Sequence, residues 1–421
     1  MRAHDLAVER LPADALHGVS VVALSLPMHT ATRLALPVIA ELRRRLPGVP
    51  ICTYGLYAPL NEARLREAGA THVFGPECEH DLVALALATT MPEPAGAATS
   101  PPAVSTARPS RSTIVPDRHG LPALDRYAQL VWPDGHASVV GAVEATRGCK
   151  HVCRHCPVVP IYQGRFHAVP LEVVRADIRA QVAAGATHIT FADPDFFNGP
   201  THAARIVEAL HDEWPALTYD VTIKVEHLRQ HEALLPRLRD TGCAFVTSAV
   251  ESLDDQVLIA LDKGHTRADV EAVAAHCQEL GLVLSPTFVA FSPWTTLAGY
   301  LSFLDDVDAM GLVDHVAPVQ WTLRLLVTQD SGLLALDDIR AVVEPYQPAT
   351  LTHPWTHPDT RVDALQRDVM QLAGVAQGRP RRETFEAIRA RAAADVAGAP
   401  GPRPVLLSRA SIPYLTEPWY C

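Results

Sequence analysis

The stretch GAVEATRGCKHVCRHCPVVPIYQGRF, residues 141–166, holds Cys149, Cys153 and Cys156 within eight positions. An apolar segment of strand length, VVGAVEATRG (139–148), leads straight into them. A structural zinc site takes four ligands, commonly as two C-x-x-C pairs, and the second pair is missing here. His151 and His155 interleave with the cysteines and are candidates to complete a zinc sphere. Cys153 and Cys156 alone have the spacing of a redox pair. Three thiolates without a fourth also suit a [4Fe–4S] cube with one iron left open to an outside ligand. Spacing alone leaves all three readings standing.

Working outward, the same strand pattern recurs. THITFADPD (187–195), TYDVTIKVE (218–226), CAFVTSAVES (243–252), LVLSPTFVAF (282–291) and HVAPVQWTLRLL (315–326) read as strands. Between them lie amphipathic stretches such as PLEVVRADIRAQVAAGA (170–186) and RADVEAVAAHCQELGL (267–282). Strands alternating with helices imply a parallel sheet covered by helices. With the segment before the cysteines this makes six βα repeats, which suit a partial (β/α)6 barrel of TIM type over residues 119–330. Sites in such barrels sit at the C-terminal strand ends. Asp193 and Asp195 fall there after the second strand, Lys224 and Glu226 on the third, and Ser248 and Glu251 at the end of the fourth. Lys224 and Glu226 alternate with apolar residues, so both are expected on one face of the third strand.

A shorter α/β pattern occupies residues 19–90, so residues 1–90 are read as a Rossmann-like domain. MPEPAGAATSPPAVSTARPSRSTIVPDR (91–118) is rich in Pro, Ala and Ser without an apolar period, the composition of a linker. Residues 331–421 read as mostly helical, ending in a Pro- and aromatic-rich tail that stops at Cys421. At 421 residues the chain exceeds what one core usually serves. Its 48% hydrophobic and 20% charged composition is that of a folded protein. A net charge of -11 with no block of Lys or Arg argues against a nucleic-acid partner. No apolar run reaches membrane-spanning length, and MRAHDLAVERLPADAL lacks a signal-peptide core, so a cytoplasmic location is expected. In such a reducing compartment clustered cysteines mean metal or catalysis before disulfides. Cys243 and Cys277, in apolar surroundings, read as buried packing residues.

Cys149-x-x-x-Cys153-x-x-Cys156 at the end of a first βα strand resembles the signature of the radical S-adenosylmethionine (SAM) superfamily. The resemblance implies a [4Fe–4S] cluster held by the three cysteines. It implies SAM bound through its amino and carboxylate groups to the open iron. It further implies a reductant such as flavodoxin or ferredoxin and a small-molecule substrate. Group transfer, of a methyl or a 3-amino-3-carboxypropyl group, is the expected reaction. In that family a second-strand motif bonds the SAM amino group. The usual Gly-Gly-Glu is absent here, so Asp193 or Asp195 is the stand-in. Ala249-Val250-Glu251-Ser252 resembles the segment that meets the ribose, and Pro286-Thr287-Phe288 the strand near adenine. Lys224 and Ser248 complete the expected SAM-facing set. Phe196, Phe197, Phe288, Phe291 and Trp294 are candidates to line the cavity. A non-catalytic zinc or iron–sulfur module is the rival reading.

The front domain resembles the cobalamin-binding-like domain of one radical SAM subgroup, carried mainly by GLYAPLNEARLREAGATHVFGPECEHDL (55–82). Base-off cobalamin domains carry Asp-x-His-x-x-Gly. Here Pro27-Met28-His29-Thr30-Ala31-Thr32 keeps the histidine and lacks the Asp and the Gly. A supporting domain is therefore expected ahead of a cobalamin site. The tail resembles a branch ending in Cys-Sec-Ala-Glu-Pro or Cys-Cys-Ala-Glu-Pro, which implies that Cys421 precedes a codon read as selenocysteine. A related branch makes an arsenic-containing amino acid, and soft donors on a tail would suit such a substrate.

Overall fold

In the computed structural model, which describes residues 2–12, 14–90, 114–375, 379–396 and 410–416, the alternation becomes two main sheets. Most of the expected linker, and Cys421 with its neighbours, lie outside the described residues. The smaller sheet is parallel, with β1 (Val22–Ser25), β2 (Ile51–Tyr54) and β3 (His72–Val73) side by side in that order. The helix His29–Arg45 packs Leu36, Ile39 and Leu42 inward. Its last turn carries Arg43, Arg44 and Arg45, where the carbonyl end of the helix dipole favours cations. The helix Glu62–Ala68 stops at Gly69, whose φ of 116° is left-handed territory that glycine enters freely. The core of this unit is completed from far along the chain: Leu351 is buried among Leu26, Ile39, Ile51 and Leu65. Beside it the His29 Nε2–H donates to the Thr350 carbonyl at 2.8 Å.

The larger unit contains β4 (Gln129–Val131), β5 (Ala137–Val143), the small hairpin β6 (Thr146–Gly148) and β7 (Phe166–Ala168), then β8 (His188–Phe191), β9 (Thr218–Thr222), β10 (Cys243–Glu251), β11 (Leu284–Phe288) and β12 (Tyr414–Leu415). Seven of these form one sheet in the order β11-β10-β9-β8-β5-β4-β12. From β5 to β11 all neighbours are parallel, which gives a curled half-barrel. β4 and β12 add an antiparallel edge that the sequence reading did not anticipate.

The expected sixth barrel strand does not form. Pro318 has no N–H for a ladder and instead opens a 3₁₀ turn over Pro318–Trp321. Gln320 turns inward, and its Oε1 accepts from the Phe288 N–H at 2.8 Å. Among the described residues of this segment, Arg324 alone is bridged, to Phe291 just past the end of β11. The barrel therefore has five parallel strands and one bridge in place of six repeats. The helices Thr360–Val375 and Arg381–Ala394 supply Leu365, Val369, Phe385 and Ile388 to the main core. Residues 341–359, read as helical, are irregular backbone held by isolated bridges, Val343 to Trp355 and Gln347 to Thr352. Among the described residues no helix is long and apolar enough to cross a membrane.

Candidate metal centre

The cysteine loop leaves the C-terminal end of β5 and is pinned on several sides. Asp193, just past β8, accepts from the Ala145 N–H at 2.9 Å, the Thr146 N–H at 2.5 Å and the Thr146 hydroxyl at 2.6 Å. Asn198 donates to the Gly148 carbonyl and accepts from the Lys150 N–H, both at 3.1 Å. Arg154 donates to the Ile259 and Ala260 carbonyls at 3.0 and 2.8 Å, at the end of the helix Asp255–Leu261. Gly148 precedes the first cysteine with φ 82°, and a Cβ there would come within 2.4 Å of the Tyr162 ring. Side chains after β8 and the loop's own Arg154 thus fix the loop before any ligand is considered.

All three cysteines are free thiols. Burial pushes Cys149 up to about 12 and Cys156 up to about 11. Such thiols ionise when a bound cation takes up their charge. Among the described residues the remaining cysteines lie elsewhere. Cys52 and Cys78 pack with Phe74, Cys243 opens β10 at its far end, and Cys277 is buried on the helix Arg267–Leu280. The donor set at the loop is therefore three sulfurs, which fits a cube with one open iron better than a closed tetrahedral site.

Two groups of charged side chains face this loop. Glu251 ends β10 with φ 69°, and its Oε1 lies 3.2 Å from His155 Nε2 and 3.4 Å from Lys263 Nζ. Burial acts against the Glu251 carboxylate, but Lys263 and His155 outweigh it and hold the carboxyl well below its usual range. Burial likewise opposes the Lys263 charge. Glu251 and the neighbouring Cys153 and Cys156 overcome it and raise the ammonium. On the other flank Lys224 Nζ lies 3.1 Å from His151 Nδ1 and 3.0 Å from Glu226 Oε2. Asp195 Oδ2 lies 3.5 Å from His151 Nε2 and 2.7 Å from His227 Nδ1. Burial pushes Asp195 up, and the two histidines more than reverse this.

The structure so gathers Asp195 and Lys224 around His151 and brings Glu251 to His155, both on the cysteine loop. Ser248 is fully buried in β10, and its hydroxyl has no hydrogen-bond partner among the described residues. Three sequence expectations are corrected. Asp193 faces the backbone of its own loop, because three donors there satisfy its carboxylate. Burial still pushes it up to about 7 against those bonds. Lys224 and Glu226 are not on the third strand. β9 ends at Thr222, Lys224 caps the helix Val225–Gln230, and Glu226 lies in its first turn. Phe196, Phe197, Phe288 and Phe291 are at most 1% exposed and belong to the main core, while Trp294 packs in a separate cluster. Lys263, His227 and Asn198 went unread. The only trace of the first was a charged Lys263-Gly264-His265 between two apolar helices.

Residues 143–291 match the radical SAM superfamily model. A tRNA-2-methylthio-N(6)-dimethylallyladenosine synthase of Pseudomonas paraeruginosa (strain DSM 24068 / PA7) is 26% identical over 243 residues, 54% of this chain. The chain spans about half (48%) of that relative's length. In fold it is similar to the cobalamin-dependent SAM radical enzyme OxsB with aqua-cobalamin and SAM bound, with a TM-score of 0.63 and 12% identity, over 85% of this chain and 59% of that one. It is also similar to the radical SAM methyltransferase TsrM from Kitasatospora setae, with a TM-score of 0.54 and 18% identity, over 70% of this chain and 61% of that one. The family's cofactors are a [4Fe–4S] cluster and SAM, and three thiols on a braced loop at the first parallel strand meet its central requirement. Residues 143–291 of this chain are a radical SAM domain.

Proposed function

We propose that this chain is a radical SAM transferase acting on a small-molecule acceptor. Cys149, Cys153 and Cys156 would hold the cluster; Asp195, Lys224, Ser248 and Glu251 would meet SAM. A cluster held there would supply the one electron needed for reductive cleavage of a sulfonium carbon–sulfur bond. The chain's own residues prepare that site. Asp193 and Asn198 fix the loop backbone. Lys263 places positive charge against Cys153 and Cys156, which would offset the negative charge of a thiolate-bound cluster. The observation that carries the proposal is a braced loop presenting three thiols, with the other cysteines among the described residues lying elsewhere.

The transferred group is read as 3-amino-3-carboxypropyl or methyl, and an arsenic- or selenium-containing acceptor is the lead to test first. The fold likeness to OxsB and TsrM favours a second reading, cobalamin-dependent methyl transfer. The N-terminal residues do not fit a histidine-ligated cobalt, because the His29 Nε2–H already donates to Thr350. We therefore read the three-stranded unit as a Rossmann-like support domain. Anaerobic reconstitution with iron and sulfide, then dithionite and SAM, tests the main proposal. Release of 5′-deoxyadenosine or methylthioadenosine is expected, and the product tells which bond broke. A colourless protein carrying one zinc and cleaving no SAM would overturn it. Added hydroxocobalamin that stays with the protein through gel filtration would favour the second reading.

A further inference from the structure

The five parallel strands turn one face toward the covering helices and the other into the half-barrel. Ile189, Tyr219, Val221, Val246 and Leu284 belong to the core under the helices. Their strand neighbours therefore point into the half-barrel. The register sets these inner residues side by side: Thr190 with Ala142 and Asp220, Thr222 with Thr247, and Ala249 with Thr287. Deep on this face His188, Asp220 and Phe245 are 0%, 4% and 5% exposed. Further along the strands, Thr222, Thr247 and Thr287 are only half-buried, and Ala142 and Ala192 are exposed. Residues in mid-sheet keep such exposure only where the space before them is open. The inner face is thus a well lined by hydroxyl and methyl groups, with Asp220 at its floor.

Asp220 accepts from the Thr190 hydroxyl at 2.6 Å and from the His188 Nε2–H at 2.9 Å, both on Oδ1. His188 is itself held by Thr218, whose Oγ1 lies 2.8 Å from Nδ1. The carboxylate is fixed in place, and Oδ2 is left for another donor. Among the described residues its ion-pair partner is His188, with no Lys or Arg beside it. A buried carboxylate is stabilised most by a charged donor, so the floor of the well suits a cation. We propose that Asp220 anchors the cationic end of the acceptor, a small hydrophilic molecule carrying an ammonium or guanidinium group. The assignment rests on the transferase reading and gives its acceptor a chemical class. Lys224, four residues after Asp220, lies 3.1 Å from His151 on the cysteine loop. At about 3.3 Å per extended residue, Asp220 is roughly 13 Å below that level. An acceptor of this length places its cation on Asp220 and its reacting atom beneath the cysteines, while Thr222, Thr247 and Thr287 meet its polar groups between.

Two short probes that differ only in the charged end, 4-aminobutan-1-ol and butane-1,4-diol, test this. Each is titrated against full-length protein by saturation-transfer NMR. Wild type is expected to bind the amine at least about 10-fold more tightly than the diol, the size of one hydrogen bond to a charged group. Asp220→Asn should bring the two probes to equal affinity. Thr222→Phe fills the well above Asp220 without touching its bonds, and must abolish binding of both. Circular dichroism melting shows that each variant is folded. Equal affinity for the two probes in wild type would overturn the proposal. So would an amine preference that persists in either folded variant. The probes need neither cluster nor SAM. An amine preference in protein that cleaves no SAM would sink the transferase reading and leave this site standing; SAM cleavage without the preference would sink the site alone.

Discussion

Glu251 shows how much a single side chain carries here. Its carboxylate is the shared partner of His155 and Lys263, and all three are buried or nearly so. Removing one member of a buried charge group strands the others. Glu251→Gln is therefore expected to cost about 3–5 kcal/mol in urea unfolding. Adding Lys263→Met should recover part of that loss, as a double-mutant cycle would measure. His265 makes a pH-dependent contribution. Burial, then the Lys263 and Lys224 charges, push it from 6.5 down to about 4. The unfolded chain thus binds a proton that the folded one refuses. Stability from this group is full above pH 6.5 and lost as pH falls toward 4, by up to about 3 kcal/mol. Unfolding midpoints of wild type and His265→Gln across that window should diverge if the assignment holds. Parallel pH curves would refute it.

Among the elements, the replacement of the sixth strand by a turn and a clamp has a measurable cost. Arg324 forms its one bridge to Phe291 and donates to Asp363 Oδ1 and to the Trp355 carbonyl, both at 2.6 Å. Its guanidinium also lies 3.6 Å from the centre of the Trp355 ring. Arg324→Met is expected to lose about 2 kcal/mol, read as a lowered melting temperature. The five parallel strands were legible because each is an apolar run bounded by turn residues. The sixth was not, because HVAPVQWTLRLL has strand composition while Pro318 and the inward-turned Gln320 override it. At the site, the cysteine spacing was legible, as were the carboxylates after β8 and β10. The diversion of Asp193 into backbone bonds was not, since neighbouring aspartates on one turn differ only in which donors meet them. Lys263 and His227 were invisible for a related reason. A lone polar residue in a loop or on a short helix carries no period, and only the folded chain brings it to the thiols.

At the scale of the molecule, the N-terminal unit and the barrel are joined at the site itself. Arg147, two residues before Cys149, pairs with Glu79 at 2.9 Å, and the Tyr162 hydroxyl donates to Glu77 at 3.0 Å. The unit is also joined to the C-terminal region by Leu351. Leu351→Ala leaves a cavity in the N-terminal core and is expected to cost about 2–5 kcal/mol. The expected signature is faster proteolytic release of residues 1–90 from the variant; cleavage at the wild-type rate would contradict it. Leu351 also has a bearing on biosynthesis. The small parallel sheet is complete by Val73, but the side chain that closes its core emerges almost 280 residues later. At about 5–20 residues per second, a ribosome holds that apolar surface open for roughly 15–55 seconds. During that interval the nascent chain is a natural client for a chaperone.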